Sequence, residues 1–181
     1  AYVRAARKLC IESRWYRVTI VGQTVAGQQQ YSLGSDPFLD IIGIRAMGAT
    51  QGTQKWPLVP SDPTQWSAVA QPADPRRYAY IPQAQFALNP TPNSVIDLQV
   101  TAVCAPKEGA TQLPDEIMRW SEGFQDGALA YLLNIPGQPW SNAVLGQTYG
   151  QAWRAAIANA KADEQRAYNQ GTVLARRRRI F

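Results

Sequence analysis

Four consecutive arginines, Arg176 to Arg179, form the densest block of one chemistry in the chain. Such a run is either a solvated or phosphate-binding tail or an arm for an acidic protein surface. Its framing favours the second. Val173 and Leu174 precede it and Ile180 and Phe181 follow it, and a solvated nucleic-acid tail gains nothing from apolar anchors. An arm docking into an acidic protein groove, for instance by adding a strand, uses both charge and apolar ends. Acid–base chemistry has thinner support. The 181 residues include no histidine, which removes the commonest general base, the usual zinc ligand and every His-dependent triad. Asp115-Glu116 and Asp163-Glu164 are adjacent pairs; their side chains diverge around a helix, and helix-end electrostatics accounts for them. Gly22, Gly27 and Gly34 have neither Walker nor dinucleotide spacing and read as turn glycines. Cys10 and Cys104 are too few and too far apart for a disulfide framework and read as reduced thiols, consistent with a reducing site of synthesis. The residues point to no catalysis, no metal and no cofactor.

Charge is distributed unevenly. Of a net +5, residues 1 to 17 hold five basic residues against one acidic, and residues 161 to 181 hold six against two, so each end is +4 and the body between them is −3. The six tryptophans could stack on sugars or bases. Their placement favours packing: Trp120 and Trp153 lie on helix faces, Trp140 precedes a helix start as a staple, and Trp15, Trp56 and Trp66 lie in or beside strands, where a contact at an intersubunit surface is the alternative. No run of about 18 uncharged apolar residues occurs, so no membrane span is expected.

The elements that must position these residues are organised around residues 113 to 169, which read as a helical hairpin. Pro114 with Asp115 and Glu116 is a helix start. Ile117, Trp120, Phe124, Ala128, Tyr131 and Leu132 then recur at steps of three or four as one apolar face. The turn from Ile135 to Trp140 holds two prolines that stop the helix, and Ser141 or Asn142 caps a second one. Its facing residues include Tyr149, Trp153 and Ile157 among many alanines, which admit a close neighbour. Residues 1 to 15 read as a further helix. Between them the period changes to two: strands are expected over 17–21, 28–33, 38–46, 77–81, 85–88 and 94–104, with a loop-rich stretch over 48–75 containing one short helix near Ser61 or Asp62. The fold class expected is α+β: a helical bundle (N-terminal helix plus long C-terminal helical hairpin; residues 1–15 and 107–169), an inserted antiparallel β-domain (16–106) and an extended basic C-terminal arm (170–181).

The block Leu113-Pro114-Asp115-Glu116, then Asp126 to Leu133, then Pro136 to Asn142, followed by an alanine-rich helix and a basic tail, resembles head-to-tail adaptor (connector) proteins of tailed bacteriophages. The resemblance covers most of the chain and is most specific from Gly127 to Asn142. It implies a virion structural protein at the head-to-tail interface: a homo-oligomeric ring, usually a dodecamer, beneath the portal protein and above the tail nozzle or tube protein, helping to retain packaged DNA and contacting it in the lumen. It brings no catalytic residue. Under it the portal-binding arm is Val173, Leu174, Arg176, Arg177, Arg178, Arg179, Ile180 and Phe181. Hairpin core and ring packing fall to Trp120, Phe124, Tyr131, Trp140, Tyr149 and Trp153. A nucleic-acid-binding accessory protein using both basic ends is the alternative from a different class. A carbohydrate-binding β-module is a third, weakened because lectin-like folds seldom need two long helices.

Overall fold

The computed structural model describes residues 1–66 and 71–175. The chain forms two compact units, one of Ala1–Tyr16 with Ala105–Phe181 and one of Arg17–Cys104.

The first unit is helical. Helix α1 (Tyr2–Ser13) buries Ala5, Ala6, Leu9, Cys10 and Ser13, a stripe at steps of three and four. It stops where Arg14 turns left-handed (φ 53°) and its N–H donates to the Cys10 carbonyl. Ser13 Oγ donates to the Leu9 carbonyl (2.7 Å) and accepts from the Trp15 N–H (3.2 Å), so the helix end is satisfied inside the protein. Helix α2 (Asp115–Met118) starts after Pro114 with Asp115 and Glu116 in its first turn, where the dipole favours them. Helix α3 (Ser121–Leu133) and helix α4 (Ala143–Ala175) follow. The turn between α3 and α4 runs through Gly137 at φ 78°, the left-handed region that glycine occupies without cost. Asn142 is the residue that caps α4, its Oδ1 accepting the Leu145 N–H at 3.1 Å.

The second unit is a sheet: β1 (Arg17–Gln23), β2 (Gln30–Ser32), β3 (Leu39–Gln51), β4 (Gln54–Pro60), β5 (Arg77–Ile81), β6 (Gln85–Asn89) and β7 (Asp97–Pro106, whose last two residues belong to the helical unit). The strand order is β1-β7-β3-β4-β5-β6-β2, and the sheet is curled. β1 and β7 pair antiparallel over seven positions, from Arg17 opposite Val103 to Gln23 opposite Asp97. Alternation along β7 puts Leu98, Val100 and Ala102 inside. With Leu33, Met47, Ala49, Leu58, Tyr78, Phe86, Leu88 and Ile96 they make the core. Tyr31 stacks on Phe86 at 5.3 Å between ring centroids.

The expected helical bundle with a long C-terminal hairpin, an antiparallel β-domain and an extended arm is corrected by this architecture, a mixed α+β fold with, among the described residues, a seven-strand curled sheet and four helices. Three physical reasons account for the difference. The first limb of the hairpin is not one helix: Trp120 (φ −103°, ψ 19°) breaks it between α2 and α3, and its N–H bonds back to the Ile117 carbonyl. The sheet is not purely antiparallel, because β4 and β5 run parallel at Val59 and Pro60. And α4 continues helical to Ala175, past the point at residue 170 where the arm was expected to begin. Strand β4 lies in the stretch expected to be loop. A two-residue connection through Gly52 (φ 59°) pairs Gln51 with Gln54 and starts a hairpin with β3. Pro57 is tolerated inside it because the β5 ladder begins only at Val59, leaving Pro57 one edge on which no N–H is required. The short helix expected near Asp62 is a 3-10 turn over Pro63–Gln65, capped by Asp62, whose side chain accepts from the Thr64 N–H; the rest of that expectation, from Ser67 on, lies outside the described residues.

Candidate interaction surfaces

The aromatic residues singled out for packing divide into two groups. Phe124 is fully buried and meets Tyr2 edge-on at 5.6 Å. Trp153 is 8% exposed, and it sits over a position where α3 has no side chain. A Cβ added at Gly127 would stand 2.9 Å from the Trp153 ring and 3.0 Å from Ala5 Cβ, and one at Gly123 would stand 2.7 Å from Ala156 Cβ. Two glycines four apart thus let α3 approach both α1 and α4 closely, which explains their place in a helix despite their poor propensity. Trp120 is half-buried, edge-on to Trp15 at 6.2 Å. The Arg119 guanidinium lies over both rings, 5.2 Å from Trp15 and 5.6 Å from Trp120, and pairs with Asp163 at 2.7 Å. Tyr149 is half-buried on α4.

Tyr131 and Trp140 form the second group. They are 47% and 54% exposed, and they have company. Leu129, Leu132, Val144 and Leu145 are also exposed, and all six residues lie at the end of α3, in the following turn or in the first turn of α4. Single exposed apolar side chains are ordinary; a concentration of them marks an interaction surface. One flank is basic. A cavity of about 470 Å³ opens between α1 and the end of α3, lined by Arg4, Lys8, Tyr131, Asn134 and Trp153 among others, and the Arg4 guanidinium covers the Tyr131 ring at 4.7 Å.

Of the arm residues, Val173 and Leu174 belong to α4; Arg176, Arg177, Arg178, Arg179, Ile180 and Phe181 lie outside the described residues. Sequence reasoning missed Gly123 and Gly127 as contact points, although their i, i+4 spacing on the face carrying Phe124 was a usable signal. It also missed Arg119, whose interleaving between two tryptophans has no signature along the chain.

A model of the SU10 adaptor protein family matches residues 1–177. The chain belongs to the SU10 adaptor protein family. No curated protein matches it. The resemblance to phage head-to-tail adaptors is thereby established over nearly the whole chain. The protein is a bacteriophage adaptor with a structural role, in a family of structural phage proteins and not of enzymes. Membership implies a place in the virion and interaction with portal and tail components in general. No described helix is long and apolar enough to cross a membrane.

Proposed function

We propose that this adaptor assembles as a ring, twelve copies in the simplest match to a portal, which joins the portal to the tail nozzle or tube and helps to hold packaged DNA in the head. The observation that carries the self-assembly is the concentration of Leu129, Tyr131, Leu132, Trp140, Val144 and Leu145 in solvent around one turn. A heterologous contact made by that turn on a neighbouring copy closes into a ring when the rotation per subunit matches the portal's symmetry. In this reading Phe124, Trp153 and Trp120 hold the subunit's own helices, while Tyr131, Trp140 and Tyr149 serve the ring. The domain roles follow: residues 1–15 with 107–169 build the ring, 16–106 offer the surface for the tail component, and 170–181 grip the portal. Val173 and Leu174, in the last turn of α4, precede Arg176–Arg179, Ile180 and Phe181 along the chain. Exposed ion pairs contribute about 0–1 kcal/mol each and are screened by salt, so the apolar ends carry affinity that charge alone does not. Repetition around a ring multiplies both.

Truncation after Gly171 tests the arm. The shortened chain should fold and still self-associate by light scattering, yet fail to join portal-bearing heads; normal joining would overturn the assignment and leave the α3–α4 turn as the attachment element. Titration of the full chain against nonspecific DNA over rising salt separates this function from a nucleic-acid-binding one, which requires a steep loss of affinity with salt.

A further inference from the structure

Helices α1 and α3 carry opposite chemistry at one spacing. On α1, Arg4, Lys8 and Ile11 stand at i, i+4 and i+7; on α3, Glu122, Asp126 and Leu129 do the same. At 3.6 residues per turn each triplet makes one stripe. The cationic stripe lies opposite the buried residues of α1, Ala5, Ala6, Leu9, Cys10 and Ser13. The acidic stripe lies opposite the buried residues of α3, Gly123, Phe124, Gly127 and Ala128. Those buried faces are the ones the two helices turn toward each other, with Tyr2 against Phe124 and Ala5 Cβ 3.0 Å from where a Cβ on Gly127 would stand. The two stripes therefore point away from one another, on opposite flanks of the helical unit.

Neither stripe is satisfied inside the subunit. Arg4 is exposed, and its guanidinium meets the Tyr131 ring with no hydrogen-bond or ion-pair partner among the described residues. Lys8 reaches Glu12, one turn on, at 3.8 Å, an exposed pair that contributes little in water. Glu122 is exposed and Asp126 half-buried, and neither has an ion-pair partner among the described residues. The apolar members are in solvent too, Ile11 at 42% and Leu129 at 38% exposed. Direction agrees with spacing. Tyr2 meets Phe124, and three residues on in both helices Ala5 meets Gly127, so α1 and α3 run the same way. Rotation about an axis along them keeps α1 of one copy parallel to α3 of the next. Parallel helices set cation on carboxylate at two successive turns and Ile11 beside Leu129, whereas antiparallel ones would set Ile11 on Glu122 and Arg4 on Leu129. We infer that the α1 stripe of each copy docks on the α3 stripe of the next, Arg4 and Lys8 pairing with Glu122 and Asp126 while Ile11 packs on Leu129. Two different patches on opposite flanks make a heterologous contact, the kind that closes a ring, and like stripes repel, which disfavours a two-fold dimer through either one. The pairing rests on the ring proposed above and names the faces that meet in it.

The test is charge reversal in the full chain, read by light scattering as the concentration at half-assembly. Arg4→Glu with Lys8→Glu leaves two acidic stripes, and Glu122→Lys with Asp126→Lys leaves two basic ones; each should raise that concentration about tenfold or more. Mixed in equal amounts, the two reversed chains should assemble together, because each α1 stripe then finds its opposite only on the other chain. A chain with all four reversals should assemble alone, as the parent does. Glu122 lies in the first turn of α3; should the lysine pair cost the fold, Glu122→Gln with Asp126→Asn still weakens assembly and removes most of its sensitivity to salt. Reversed chains that assemble like the parent, or a mixture no better than its parts, would overturn the pairing while the ring stands. A parent that stays monomeric would instead overturn the ring, and the pairing with it. Loss of assembly on truncation after Ala175 would give the carboxylates to the arginine arm and overturn the pairing as well.

Discussion

Among the described residues of the sheet unit the large apolar side chains left in solvent are valines, Val21, Val25, Val59 and Val95. The helical unit instead exposes Ile11, Met118, Leu129, Tyr131, Leu132, Trp140, Val144 and Leu145, aromatic and long aliphatic groups concentrated at the end of α3 and the start of α4. The cores differ in the same sense. The sheet buries its interior by strand alternation, with Leu88 at 0%, Ile96 at 1% and Leu98 at 4% exposed. The helices bury Phe124 and Trp153 by removing side chains at Gly123 and Gly127, and much of the remaining apolar surface points outward. The described part of the sheet unit turns its large apolar side chains mostly inward, and the helical unit keeps a group of them on its surface, the face that the proposed ring would cover.

The largest effect should come from attacking the helical core. Phe124→Ala removes a fully buried ring and should cost about 3–5 kcal/mol, read as a lower urea midpoint at unchanged slope. If the loss is below about 1 kcal/mol, the contrast between an internal aromatic core and an outward apolar face is wrong for this unit.

Much of this contrast was legible in the chain. The spacing of Ile117 and Phe124 marks a buried face, and both are fully buried; alternation from Ile96 through Leu98 and Val100 to Ala102 marks β7. Other parts were not. β4 is hidden along the chain because Pro57 and Pro60 read as breaks; Pro57 is tolerated because the β5 ladder begins only at Val59, and Pro60 because the flanking Val59 and Ser61 N–H groups donate to the Arg76 and Tyr78 carbonyls while the β3 ladder has ended at Leu58. The break at Trp120 has no proline or glycine to announce it. The parallel step from β4 to β5 is a long-range choice that local pattern does not encode. Exposure of Tyr131 and Trp140 was equally unreadable, since an aromatic residue at a helical spacing predicts a face and not what covers it.

The next effect concerns close approach. Gly127→Val places atoms against the Trp153 ring and Ala5, where even a Cβ would be at 2.9 and 3.0 Å, and should cost about 1–3 kcal/mol by overpacking. Gly150→Ala is the control on α4. A Cβ there meets nothing within 4 Å, so the helix should gain up to about 1 kcal/mol from propensity. Equal and opposite results at the two sites would show that small residues in α3 are there for packing; similar results would remove that distinction.

On the sheet side, Cys104 reports how dry the core is. Burial, with a smaller contribution from Asp36, pushes its thiol up from 9.0 to about 11. The unfolded chain's thiol ionises first, so stability is unaffected below about pH 8 and falls as pH rises from 9 toward 11. By pH 10.5 the loss relative to Cys104→Ala should approach about 2 kcal/mol, measured as the difference between urea midpoints at pH 8 and pH 10.5. A flat profile would mean that water reaches this end of β7 and that the sheet core is less complete than its burial indicates.

The smallest effect on folding should be the most informative about assembly. Trp140→Ser and Leu132→Ser change side chains that are 54% and 37% exposed, and surface substitutions away from caps and networks generally stay within about 0.5 kcal/mol. Asn142, which caps α4, is untouched by either. Trp140 is one of the residue types that dominate binding energy when they become buried between proteins. Each variant should therefore keep the urea midpoint of the parent while light scattering shows the assembled species reduced, and the double variant should reduce it further than either alone. Val21→Ser, made at a 77% exposed position of the sheet unit, should leave both midpoint and assembly unchanged. Were Val21→Ser to disrupt the assembly as strongly as Trp140→Ser, self-association would run through the sheet edge, and the outward apolar face of the helices would need another partner.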